Sequence, residues 1–516
     1  MKIELSRLEK IDARIKEILE EWGLDVVPVD FDIVPAQRMF EIMAYGLPVN
    51  FRHWSRGRDY ERLRTIYEHS GAGLPYEMVL NTSPPKAFLM ETNPFPIQVL
   101  VMAHVYAHVD FFNSNQSFED VSKEMPVQAY EATKRFDAYE QHNGLSRLEP
   151  LCDAGLALQF NVDPDWHKKR ETREEQIQRL YGDQPQEEQR DLDFFRLYPR
   201  EKAKHPDYKE LVHTTPLEPE RDVLGYITAN SPKPLQDWEQ DVLSVIRSQG
   251  LYLYPQIRTK ICNEGWAAYW HERIMHRLFQ ERLLTSEEHG YFAQYHSAVL
   301  APNPFQLNPY LVGKKIFEDI KERWDKGRCG KAWQECEDLY QLEHWDTELM
   351  QGEQKIFQVR SLYSDRMLLE HFLTDKLIHD LELYIYEERL RRNRDKELVI
   401  VESRPEVIRS QLKELHADAG QPRILVQNGN YHNQAELYLK HYFQDAPLDY
   451  EYLQKTLEHI FFLWGRSVHL ETVDVIQDRR GRVSKQEVVH HYDGVSHTKT
   501  DISSGSICES CMSCRP

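Results

Sequence analysis

Two histidines four residues apart, His104 and His108, lie in a stretch with no charged residue from Pro94 to Val109. On a helix this spacing sets both imidazoles on one face, about 5–6 Å apart at Cβ. Two rings so placed can chelate one metal ion, as in H-E-x-x-H zinc helices. The residue after His104 is Val105, so the glutamate that acts as general base in that zinc helix has no counterpart. Asp110 is a carboxylate that could take its place, although it stands about 120° around an ideal helix from the His104–His108 line. The other reading of the pair is two core histidines bonded to carbonyls or carboxylates.

A second constellation is Asn263-Glu264-Gly265-Trp266-Ala267-Ala268-Tyr269-Trp270-His271. Glu264, Ala267, Ala268 and His271 fall at i, i+3, i+4 and i+7 and share one helix face. The alanines leave the middle of that face open to a close neighbour, while Trp266 and Trp270 anchor an adjacent face. A carboxylate and an imidazole two turns apart suit a third metal ligand, Glu264, and a polarising histidine, His271. A buried Glu–His ion pair beneath two tryptophans is the alternative.

These groups need elements to hold them. The run from Ile97 to Val109 is apolar on every side, which marks a buried helix. It is shorter than a membrane span and interrupted by histidine. Its polar groups must find partners in the core, so the helices near 97–112 and 261–278 are expected to pack side by side. Glu264 should then lie within about 5 Å of at least one imidazole nitrogen, as an ion pair or a shared ion requires.

Around them the pattern is mainly helical. Leu5, Leu8, Ile11, Ile15, Ile18 and Leu19 recur at helical steps, and residues 25–34 read as extended. The stretch from about 166 to 220 is polar and reads as a solvated insert. From Glu397 short β-branched runs alternate with turn signals: a hairpin around Asn428-Gly429-Asn430, a helix near 448–462, and a hairpin around Arg479–Arg482, with His490, His491 and His497 near it and exposed. The expected architecture is a mainly α large N-terminal domain (1–395) and a small α+β C-terminal domain (396–500). A tail (501–516) follows, with Cys508, Cys511 and Cys514 as reactive thiols rather than a zinc site.

Composition excludes several classes. The 516 residues carry 64 Lys+Arg against 84 Asp+Glu, a net charge of −20, which disfavours a protein that coats nucleic acid or an anionic membrane. The 41% apolar content is ample for a core. The N-terminus, Met1 to Arg7, lacks the apolar core of a signal peptide, and seven cysteines make no disulfide framework. A soluble, acidic, cytoplasmic protein without a membrane span is expected.

The motifs that carry the chemistry also carry a resemblance. Ala103-His104-Val105-Tyr106-Ala107-His108-Val109-Asp110-Phe111-Phe112 and Asn263 to His271 closely resemble the stage V sporulation protein R (SpoVR) family. So do Tyr45-Gly46-Leu47-Pro48, His53-Trp54-Ser55, Glu77 to Thr82, Asp237 to Ser244, Phe317 to Gly327 and Lys355 to Arg360, which together span essentially the whole chain. Arg56-Gly57-Arg58 departs from the family's Phe-Gly-Lys, and the cysteine tail is foreign to it. The resemblance implies a cytoplasmic bacterial protein, needed in endospore formers for the peptidoglycan cortex of the spore. It also implies partners: a serine protein kinase system or the cortex-synthesis machinery. A weaker similarity links the two helices to zinc peptidases whose third ligand is a glutamate on a separate helix; carried over, His104, His108 and Glu264 would hold the metal.

Two readings of function follow. One is a zinc-dependent hydrolase of a peptide-like or cell-wall-precursor amide, with His271 or Asp110 positioning water or taking its proton. The other is a non-catalytic regulatory or assembly factor, acting with the kinase system or the cortex-synthesis proteins, in which the polar groups are structural.

Overall fold

The computed structural model describes residues 4–25, 27–45, 51, 53–70, 77–165, 171–181, 215–390, 396–444, 446–477 and 483–502. The cysteine tail and most of the polar insert lie outside them. The chain forms two compact units, residues 1–135 with 252–420, and residues 136–251 with 421–516.

The first unit is mainly helical and is built around two apolar helices. The histidine helix, Phe95–Ser114, is buried from Pro96 to Phe112 because it has no polar stripe to turn toward water. It runs past the expected 97–112 and is long and apolar enough to cross a membrane, yet 94% of that stretch is buried within the protein. The glutamate helix, Lys260–Gln280, buries Trp266 and Trp270 completely, as the aromatic pattern predicts. Its first turn is held by a side chain from elsewhere: the Asp365 carboxylate accepts from the backbone N–H groups of Ile261 and Cys262, both at 2.9 Å. Burial pushes that carboxyl up to about 7, against the pull of the same N–H groups.

Three further helices pack here: Leu5–Glu21, Ser286–Val299 and Pro309–Asp325. The first presents Leu8, Ile11, Ile15, Ile18 and Leu19 to the core, the stripe its periodicity predicts. A small sheet of β1 (Asp30–Val34), β2 (Glu77–Leu80) and β3 (Lys86–Met90) has the order β1-β3-β2, with β1 parallel to β3. The strands flanking the boundary expected near residue 395, β4 (Ile385–Leu390) and β5 (Lys396–Glu402), pair with each other.

The second unit carries the α+β C-terminal region. Its sheet runs β10-β9-β8-β7-β6, with β6 (Ile424–Tyr431), β7 (Glu436–His441), β8 (Val468–Gln477), β9 (Val483–Tyr492) and β10 (His497–Asp501). All neighbours are antiparallel except β7 and β8, which the helix Tyr450–Trp464 connects as a parallel pair. The hairpin turn falls at residues 432–435 rather than at Asn428-Gly429-Asn430, which belongs to β6. Gly429 answers to packing instead: a Cβ there would stand 2.2 Å from the Tyr226 hydroxyl. His490, expected at the surface, is buried because strand alternation sets it on the same inward face as Val488.

Candidate metal centre

The histidine and glutamate helices lie side by side, and their polar groups meet. Glu264 Oε2 is 3.4 Å from His104 Nε2 and 3.4 Å from His108 Nε2. The two rings are perpendicular at 4.4 Å between centroids. Charge-assisted hydrogen bonds are shorter, about 2.7–2.9 Å. Ligands about 2.0–2.1 Å from a tetrahedral ion stand roughly 3.3 Å apart, close to what is found here.

The far side of each ring fixes which nitrogen carries the proton. His108 Nδ1 donates to Asn263 Oδ1 at 2.8 Å, which leaves Nε2 as a lone pair facing Glu264. His104 heads a longer chain: its Nδ1 meets His271 Nδ1 at 2.7 Å, and His271 Nε2 meets His296 Nδ1 at 2.8 Å. His296 Nε2 faces the Glu272 carboxylate at 3.4 Å. An N–H on His296 Nε2, directed at Glu272, puts the other protons on His271 Nε2 and His104 Nδ1. In that order His104 Nε2 also presents a lone pair to Glu264. Two imidazole lone pairs and a carboxylate oxygen converge in a buried space, a donor set that fits a divalent cation such as zinc.

The electrostatics keep Glu264 ionised, the form that either binds a metal or accepts N–H from the rings. Burial alone would raise the Glu264 carboxyl, but the adjoining His104 and His108 hold it well below the usual carboxylate range. Burial, reinforced by His104 and His296, pushes His271 well below the ordinary histidine value, so it stays neutral. At the outer end, burial opposes ionisation of Glu272, yet His296 and Lys314 bring it down to about 2. Lys314 Nζ bonds Glu272 at 2.9 Å and Glu318 as well.

The two residues expected to handle protons are engaged by other partners. Both nitrogens of His271 are taken by other histidines, so it acts behind His104 and presents no lone pair to water. The Asp110 carboxylate accepts from Arg360 at 2.6 Å, from Trp266 Nε1 at 2.7 Å and from the Asp25 N–H at 2.7 Å. Burial raises its carboxyl against these donors, and it serves the core. His296 and Glu272 were missed in the sequence, since no spacing rule links residue 296 to residue 104. Asn263 was within view, one position before Glu264.

The fold and this site together describe a mainly helical protein with a histidine–glutamate centre and a small α+β C-terminal region. The chain belongs to the SpoVR family: the family profile described as SpoVR like protein matches residues 2–421, and that of the SpoVR-like C-terminal domain matches residues 422–475. It is 28% identical over 485 residues to the uncharacterized protein YcgB of Escherichia coli (strain K12), covering 89% of this chain and 90% of that protein. No solved structure matches it.

Proposed function

We propose that this SpoVR-family protein holds a zinc ion on His104, His108 and Glu264 and hydrolyses an amide of a peptide-like or cell-wall-precursor substrate, in service of spore cortex formation. The observation that carries the reading is the convergence of His104 Nε2, His108 Nε2 and Glu264 Oε2, at 3.4 Å from carboxylate to each ring, with partners behind both rings. Zinc bound there would supply Lewis acidity and lower the pKa of a coordinated water to about 7. The residues of the chain do the rest. Asn263 and the chain His271, His296, Glu272 aim the two rings and raise their basicity. The apolar helix around them keeps bulk water out and strengthens each charge interaction.

A second reading is favoured by one observation: Val105 fills the place of the usual base, and Asp110 and His271 are committed to other partners. On that reading the polar groups of the two helices are structural, a buried Glu–His cluster in a non-catalytic cytoplasmic factor that works with a serine protein kinase system or the cortex-synthesis proteins.

Metal analysis of untagged protein tests the first reading. The His104→Ala, His108→Ala double variant should carry about one equivalent less than wild type. Equal metal in the two proteins would remove the site. Glu264→Gln then separates the readings: if hydrolysis is the function, the variant folds but does not restore cortex formation in cells lacking their own SpoVR gene.

A further inference from the structure

A second group of metal-ligand side chains lies in the C-terminal sheet. Glu436 opens β7 and His469 is the second residue of β8. The parallel register pairs Tyr438 with His469, which brings the start of β7 against the start of β8. His432 sits in the β6–β7 turn, four residues before Glu436. Its backbone is left-handed (φ 56°), as are those of Asn433 and Ala435, a conformation that non-glycine residues seldom adopt. The turn thereby folds His432 back onto the strand. Glu436 Oε2 is 3.1 Å from His432 Nδ1 and 2.9 Å from His469 Nε2.

We propose that His432, Glu436 and His469 form a divalent-metal site of the zinc class, separate from the buried centre and open to solvent on one side. Ligand atoms from all three lie within 4.8 Å of one another, and the 2.9–3.1 Å contacts need to open only a few tenths of an ångström to reach the roughly 3.3 Å edge of a zinc tetrahedron. No net loss of protons is required. Without metal, His432 Nδ1–H and His469 Nε2–H both donate to the carboxylate. On binding, each proton moves to the other nitrogen of its own ring. The His469 Nδ1–H then has an acceptor in place, His491 Nδ1 at 3.2 Å, directly across the strand pair. That is the outer partner a ligating histidine ordinarily keeps.

The surroundings suit a held ion rather than a loose surface pair. Tyr431 lies tilted against His432 (centroids 3.8 Å) and edge-on to His469 (4.9 Å), walling one side. The His469 and Glu436 side chains are 10% and 16% exposed, whereas His432 is 45% exposed. The open side lies at His432, so a fourth ligand, water or a donor from a bound molecule, enters there.

Zinc titration of the full chain by calorimetry tests this. Cys508, Cys511 and Cys514 are first replaced by serine so that the tail thiols do not compete. This protein should bind one more equivalent of Zn²⁺ than the same protein with His432→Ala, and Glu436→Gln should weaken that equivalent by more than about 100-fold, beyond the 10–100-fold that outer partners contribute. His432 is exposed and in a turn, so its variant should melt unchanged in the absence of zinc. Repeating the comparison with His104→Ala and His108→Ala keeps the outcome independent of the buried centre. The proposal is overturned if His432→Ala and Glu436→Gln bind zinc with the parent's stoichiometry and affinity.

Discussion

His104 Nδ1 lies 2.7 Å from His271 Nδ1, and through that contact a ring of the candidate metal centre is joined to a carboxylate two imidazoles away. The charge on Glu272 favours the order in which His296 Nε2 carries a proton and His104 Nε2 a lone pair. That order ties the lone pair to the outer end of the chain, next to Lys314.

Glu272→Gln tests this dependence. An amide can donate where the carboxylate only accepts, so it allows His296 Nε2 to carry a lone pair and every proton in the chain to reverse. His104 would then present N–H toward Glu264. The expected result is a 10–100-fold loss of zinc affinity in chelator competition, with the circular dichroism spectrum retained. Affinity equal to wild type would show that the outer carboxylate does not govern the site.

How much of this was legible beforehand depended on the range of each interaction. His104, His108 and Glu264 could be read from the sequence because helical spacing and the absence of charge around them are local signals. Their meeting followed from the need to pair buried polar groups. His296 lies 25 residues from His271 on another helix, and only tertiary packing brings it into line. The β6–β7 turn was misplaced for a related reason: Asn428-Gly429-Asn430 has turn chemistry, but its glycine makes room for Tyr226. The signal for the real turn, His432 with Glu436 four residues on, resembles an ordinary solvated pair.

Asp110→Asn should act on stability and leave the metal alone. Arg360 is 12% exposed at its side chain and would lose its only anion among the described contacts, while the amide can still accept from Trp266 or Asp25. Stranding a buried charge costs about 3–5 kcal/mol. The urea midpoint of the first unit should fall accordingly, with metal content unchanged. Loss of metal at full stability would instead return Asp110 to the centre.

Acid should destabilise the fold well before carboxylates titrate. Burial pushes His441 down to about 4, and burial also holds His271 well below the ordinary histidine value within its own unit. Unfolded, each titrates near the ordinary value of about 6.5. Above that pH neither state holds the proton and the full stability is present. As pH falls from about 6.5 toward 4 the unfolded chain takes up protons that folded His441 refuses, so stability is lost across that window. Urea midpoints between pH 7.5 and 5 should decline, and His441→Gln should flatten the decline for the second unit. A midpoint that rises on acidification would contradict the assignment.

Gly313→Ala probes the scaffold that sets the centre's geometry. The glutamate helix and the helix Pro309–Asp325 touch through backbone. A Cβ on Gly313 would stand 2.1 Å from the Ile261 carbonyl oxygen, and one on Gly265 would stand 2.3 Å from the Gly313 carbonyl carbon. Neither neighbour is a side chain that can swing away, so the added methyl must push the helices apart. Overpacking of this kind costs about 1–3 kcal/mol. Glu264 precedes Gly265 directly, so the same displacement draws its carboxylate from His104 and His108, and zinc affinity should fall with stability. Gly290→Ala supplies the opposing control: Gly290 is exposed on a helix with nothing within 4 Å of its Cβ position, and alanine there should stabilise by up to about 1 kcal/mol. If Gly313→Ala also stabilised and kept its metal, the close backbone contact that aims Glu264 would not exist.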